Sequence, residues 1–136
     1  MKRVSDAGAG LNYERGLFDG AGRQVGMWTA GAAGLVCPAA YERRSGFEAA
    51  AERSQARGWP VFLRPSGGGV VPQGPGIDNL ALAFDAPDGT TIEDAYRWLT
   101  DILQRGISVE MAPGDTPGSF CDGTWNLSAG GRKIVG

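Results

Sequence analysis

At 136 residues, 42% hydrophobic and 21% charged, the chain is long enough for one hydrophobic core and falls in the ordinary globular range. A net charge of −2 argues against a nucleic-acid binder, which should be basic, and no apolar run approaches the roughly 18 residues of a membrane span. With no histidine, Ser-His-Asp and Cys-His catalysis within the chain are excluded; Cys37 and Cys121 lack metal-ligand spacing, so no metal site is expected.

The first residues carry two basic side chains and no apolar leader segment, so a cytoplasmic protein with two free thiols is the default expectation. Residues 11–18 can form a short helix. Residues 23–31 and 33–38 read as two short strands divided by small residues, Pro38 ending the second. A helix is predicted over 45–58, with Ser45 as cap, Glu48 three residues on as in a capping box, and Gly58 as terminator. A strand over 61–63 breaks at 66–69 and resumes at Val70 and Val71. Residues 79–84 form an apolar strand.

The clearest helix is 92–106. Ile92, Ala95, Tyr96, Leu99, Ile102 and Leu103 recur at i, i+3, i+4 spacing, and Gly106 closes the pattern. Residues 107–111 are a strand candidate and 112–123 a loop rich in turn formers, including Asp122. The last thirteen residues read as a hairpin turning at Gly130 and Gly131. Short strands, two or three helices and many turns give an α+β, or mixed α/β, sheet domain.

Three features could carry chemistry. Gly67, Gly68 and Gly69 stand in succession where a sheet prefers β-branched residues. They are either a plain bend or a place where a ligand approaches the backbone, with Arg64 offering a fork to a carboxylate or phosphate. The run is neither a Walker A loop nor a GxGxxG turn. Cys121 lies among turn formers, which favours partial exposure; free cysteines are more often buried and inert, and a reactive one needs an electropositive setting. Lys133 follows twelve positions later. With Gly130 and Gly131 as loop residues, Ala129 opposes Arg132 and Ser128 opposes Lys133. Alternation then sets Asn126, Ser128 and Lys133 on one face, and Trp125, Leu127, Ala129 and Ile134 with Arg132 on the other. Lys133 is then either a solvated lysine or a charge beside a cavity.

Taken together, "RPSGGGVVPQGPG" at 64–76, "NLALAF" at 79–84 and "SFCDGTWNLSAGGRKIVG" at 119–136 resemble the lipoate–protein ligase and octanoyl/lipoyl-transferase family, which shares its catalytic domain with biotin protein ligases. "TIEDAYRWLTDIL" matches the family's intervening helix in position and type. The resemblance covers about half of the chain and implies a biotin/lipoate protein ligase-like sheet with flanking helices. It also implies roles. Lys133 matches the lysine that contacts the acyl carbonyl or acyl-adenylate. Arg64, Ser66, Gly67, Gly68, Gly69, Gln73 and Asn79 match the segment that lines the acyl and phosphate site. Cys121 matches the cysteine of the transferase branch, and its separation from Lys133 looks like that of the amidotransferases that move octanoyl between carrier proteins.

The chain departs from the family in two places. Many members carry histidine where Gln73 stands, and the chain ends at Gly136 where the family continues, so residues 1–136 are expected to be a C-terminally truncated single catalytic domain. Three readings stay open. The first is an acyltransferase of lipoate metabolism using a Cys121 thioester, with no bound cofactor, octanoyl or lipoyl as the acyl group, and acyl-carrying and acceptor lipoyl-domain proteins as partners. The second is a lipoate–protein ligase that consumes ATP with Mg. The third is an inactive remnant that binds an acyl group or a partner.

Overall fold

The computed structural model describes residues 1–121 and 123–136. Asp122, which the sequence places in the turn after Cys121, lies outside the described residues. The chain divides into two compact units, Met1–Asp85 and Ala86–Gly136.

In the first unit the strands are β1 (Lys2–Val4), β2 (Gln24–Ala30), β3 (Gly34–Pro38), β4 (Val61–Arg64), β5 (Val71–Gln73) and β6 (Asp78–Ala83). They build two three-stranded sheets, ordered β1-β2-β6 and β4-β3-β5. Each sheet has one parallel pair, β1 with β2 and β3 with β4, and one antiparallel pair. A parallel pair needs a crossover connection. Helix α1 (Ala7–Phe18) supplies the first, and α2 (Phe47–Ala56) the second after a 3-10 turn at Ala39–Arg43.

Helix α1 begins four residues earlier than its apolar pattern suggests because Asp6 caps it, its Oδ1 accepting the Ala9 N–H at 2.9 Å. The helix lies flush on β2. A β-carbon on Gly10 would collide with the Trp28 ring, which is fully buried and donates its indole N–H to Glu14 Oε1 at 2.8 Å. Trp28, Ala30, Ala81 and Ala83 are the buried side chains of the β2–β6 pair, and Val36, Cys37 and Pro38 those of β3.

Helix α2 corrects the sequence reading at its start. Ser45 is not the cap and no Ser45–Glu48 capping box forms; Gly46 caps in the left-handed conformation, φ +79°, with no side-chain hydrogen bond. The chain enters from the 3-10 turn, so the Phe47 N–H is already taken by the Arg44 carbonyl at 3.1 Å. The predicted end holds: Gly58 has φ +82° and its N–H donates to the Gln55 carbonyl.

The second unit contains α3 (Ile92–Gly106) and one sheet of β7 (Ala112–Pro113), β8 (Leu127–Ala129) and β9 (Arg132–Val135), ordered β7-β8-β9 and antiparallel throughout. Thr91 and Asp94 form a reciprocal capping box on α3. The strand expected at 107–111 does not form. Ile107 N–H caps the Leu103 carbonyl and Gln104 Nε2 donates to the Met111 carbonyl, so this segment is tied to the helix end, and pairing with β8 starts at Ala112.

Candidate functional site

The chemistry-bearing residues gather in two clusters, one in each unit. In the second unit the hairpin has the predicted register: Ala129 pairs with Arg132 and Ser128 with Lys133. Gly130 and Gly131 both take positive φ, +55° and +74°, as a two-residue type I′ turn requires. Past Lys133 the register shifts by one, Leu127 pairing with Val135 rather than Ile134. This bulge corrects the expected apolar face: Ile134, placed there with Leu127, is 52% exposed, whereas Leu127 is buried.

Lys133 is not a freely solvated lysine. Its Nζ donates to the carbonyl oxygens of Phe120 (3.0 Å) and Cys121 (2.8 Å). Asn126, buried and on the same predicted face, donates its Nδ2 to the same Cys121 carbonyl at 3.3 Å. Cys121 itself is exposed and has φ +53°, the left-handed region in which no other non-glycine residue among those described is found. Such a conformation costs on the order of 1–3 kcal/mol and persists where surroundings hold it. The hydrogen bonds of Lys133 and Asn126 do the holding.

Two further residues belong with this turn, both within the stretch that carries the resemblance but neither among the candidate site residues read from the sequence. Lys133 Cε and Nζ lie where a β-carbon on Gly136 would stand, so glycine there gives the lysine room in its present position. Its signal in the chain is "KIVG", a glycine three residues after the lysine. Ser119 sits two residues before the cysteine in a turn closed by its N–H on the Thr116 carbonyl (3.0 Å), and its hydroxyl oxygen is buried with no hydrogen-bond partner among the described residues.

In the first unit Arg64, at the end of β4, sends its fork inward. Nε and Nη2 donate to the Gly67 carbonyl at 3.2 and 2.7 Å, Nη2 to the Gly69 carbonyl at 2.8 Å, and Nη1 to the Val36 carbonyl at 3.2 Å. The guanidinium therefore clamps the glycine loop onto β3. Trans peptides point N–H opposite to C=O, so the amides of Gly68 and Val70 are turned away from the arginine. Gly68 has φ +97°, which favours glycine, and a β-carbon there would press on Arg64 Nη2 at 3.0 Å. Ser66 lines a cavity of about 200 Å³ together with Leu11, Phe18, Pro65 and Arg64.

Gln73 and Asn79 are locked to one another. Gln73 Nε2 donates to Asn79 Oδ1 and Asn79 Nδ2 to Gln73 Oε1, both at 2.9 Å. This reciprocal amide pair fastens β5 of one sheet to β6 of the other just beyond the glycine loop. The second cysteine, Cys37, is buried in β3; burial pushes its thiol up, the Arg64 charge pulls it partly back and Glu42 adds to the rise. That is the setting of an inert thiol.

No group of three or more His, Cys, Asp or Glu that could hold a metal occurs among the described residues. No helix among them is long and apolar enough to cross a membrane.

The fold is that of a lipoate–protein ligase. Two structures of protein Ta0514 of T. acidophilum, a lipoate protein ligase by name, match 98% of the chain at 16% identity, with TM-scores of 0.72 for the form with bound lipoic acid and 0.74 for the other; the chain covers 57% and 58% of them. By sequence the chain is similar to octanoyl-[GcvH]:protein N-octanoyltransferases, 42% identical to that of Kyrpidia tusciae over 84 residues and 35% to that of Bacillus velezensis over 83, covering 28% and 29% of those proteins. It is 41% identical over 137 residues to an uncharacterised protein of Cupriavidus necator, across 93% of this chain. The chain spans about half the length of that relative, 54%. No family model matches the chain.

Proposed function

We propose that the chain is the thiol-bearing part of an acyltransferase of lipoate metabolism, moving an octanoyl or lipoyl group between lipoyl-domain proteins. The observation that carries the reading is the Lys133 ammonium on the carbonyl of Cys121 itself, 2.8 Å away, beside an exposed thiol on a left-handed backbone. Similarity to the N-octanoyltransferases and the lipoate-ligase fold support it. In this reading residues 1–136 are part of one catalytic domain acting in the reducing cytoplasm, where Cys121 stays a thiol.

The Cys121 sulfur attacks the acyl carbonyl of the donor protein, forming a C–S bond. The C–N bond to the donor lysine breaks, and the thiol proton leaves with the amine. An acceptor lysine amine then attacks the thioester, a C–N bond forms, the C–S bond breaks, and a proton from the amine returns to the sulfur to restore the thiol. Lys133 supplies a positive charge for the oxyanion that develops on the acyl carbonyl. In the first unit, Gly67, Gly68 and Gly69, shaped by Arg64, are assigned to substrate binding together with Ser66, Gln73 and Asn79. Neither ATP nor a bound cofactor takes part.

The test is intact mass after incubation with an octanoylated lipoyl-domain protein. A hydroxylamine-labile octanoyl adduct is expected on the wild type and not on Cys121→Ser, and Lys133→Ala should form it on the order of 10²-fold more slowly. The same labile adduct on Cys121→Ser would sink the reading. Pyrophosphate release from ATP and lipoate, undiminished in Cys121→Ala, would replace it with the ATP- and Mg-dependent ligase.

A further inference from the structure

On the first unit, α2 and its C-cap residue Arg57 present a stripe that neither the fold nor the acyl site uses. Ala50, Arg53, Ser54 and Arg57 follow one another at i, i+3, i+4 and i+7, and with Leu35 and Trp59 they line a cavity of about 450 Å³. Arg53 and Arg57 are both exposed and neither forms an ion pair among the described residues, whose salt bridges are Arg97–Glu93 and Arg105–Asp101. Two like charges one turn apart repel slightly, so their juxtaposition is not explained by α2's own stability. Placement near the helix C-terminus offsets that repulsion through the helix dipole, but it accounts for neither the cavity nor the tryptophan.

Trp59 is 41% exposed and yet held at both ends of its peptide. Its N–H donates to the Ser54 carbonyl at 3.0 Å, and its carbonyl accepts the Ser54 hydroxyl at 2.6 Å. A large apolar side chain is thus kept at the surface on a fixed backbone, next to two unpaired guanidiniums. Trp and Arg are the residues in which protein–protein binding energy concentrates. The chemistry favours an extended acidic surface over a compact phosphate. The helix end here is the carbonyl end, the wrong pole for a phosphate, whereas the arginine side chains reach past it to separate carboxylates.

We propose that the groove of Arg53, Arg57 and Trp59 docks an acidic face of a partner protein, two carboxylates against the guanidiniums and an apolar side chain against the indole. Resting on the acyl-transfer reading, the partner is the lipoyl-domain protein that brings or takes the acyl group. The match is one of charge complementarity: an arginine pair left unpaired on a chain of net charge −2.

The experiment measures binding of an octanoylated lipoyl-domain protein to the full chain at two salt concentrations, alongside acylation of Cys121 by a small octanoyl thioester. Arg53→Glu/Arg57→Glu should weaken binding at least tenfold and flatten its salt dependence; Trp59→Ala should weaken it several-fold at both salts. Reaction with the small thioester should be unchanged, which also shows that the variants fold; Arg53→Gln/Arg57→Gln replaces the double reversal should that variant unfold. Affinity within twofold of wild type in these variants overturns the proposal, as does a wild type that does not bind the carrier, whether or not inorganic phosphate occupies the groove. Binding that is lost in the arginine variants while Cys121 never acylates from either donor leaves the docking surface standing and brings down the acyl-transfer reading instead.

Discussion

Helices α1 and α3 reverse the usual relation between sequence pattern and burial. Helix α1 carries three glycines and few large apolar residues, yet Ala7 and Gly10 are fully covered and the helix rests on the Trp28 ring. Helix α3 has the sharpest apolar stripe in the chain, yet none of its residues is buried and Ile92 is 78% exposed. Amphipathic spacing states which face a helix would bury. Whether it buries depends on an opposing surface of the right shape, and small residues such as Gly10 create one by letting two elements approach. In the unit Ala86–Gly136 the buried side chains, Met111, Thr116, Asn126 and Leu127, belong instead to the short strands and loops around the Cys121–Lys133 turn.

The contrast can be broken by substitution. Trp28→Ala removes the ring on which α1 sits and leaves Glu14 without its donor, and should cost about 3–5 kcal/mol in urea unfolding followed by circular dichroism. A loss under about 1 kcal/mol would mean that α1 does not depend on that contact.

A smaller effect is expected where α3 supports itself. Thr91→Ala removes the cap and should cost about 1 kcal/mol. The Thr91 hydroxyl, and then its N–H, hold the Asp94 carboxyl below the usual carboxylate range. A lowered folded value stabilises above the unfolded value and is lost as pH falls through the folded one. Acid should therefore fray α3 in the native chain, and this part of the pH dependence should vanish in Asp94→Ala, read as helical ellipticity against pH.

The smallest effect sharpens the comparison most. Ile102→Gln, on the exposed stripe of α3, should change stability by no more than about 0.5 kcal/mol. A cost above about 2 kcal/mol would show that α3 is a core helix after all.

The hairpin shows how far residue spacing reaches. Its turn and the opposition of Ser128 to Lys133 were legible because two adjacent glycines leave one favourable two-residue loop, and the pairing counts outward from it. The exposure of Ile134 was not, because a bulge adds a residue without changing composition. Ser45 failed as a cap for a similar reason: its local signal is sound, but a preceding 3-10 turn had already satisfied the first helical donor.

Among the candidate site residues, the types and their grouping were readable from the chain, and their hydrogen-bond partners were not. Arg64 and the glycine run are adjacent in sequence, but nothing in that adjacency says that the guanidinium would turn to the Gly67, Gly69 and Val36 carbonyls. The same holds for the amide pair of Gln73 and Asn79, which joins two sheets.

By itself the sequence determined the absence of histidine chemistry, the α+β class, the strand and helix order over most of the chain, and a hairpin carrying a lysine twelve residues after a cysteine. These depend on composition and on periods of two and 3.6 residues, which are local. Only the tertiary structure decided that Lys133 reaches back to the Cys121 carbonyl, that Cys121 adopts a left-handed backbone, and that the end of the lysine lies against Gly136. Those outcomes require segments distant along the chain to meet at hydrogen-bond distance, and that is settled by packing rather than by spacing.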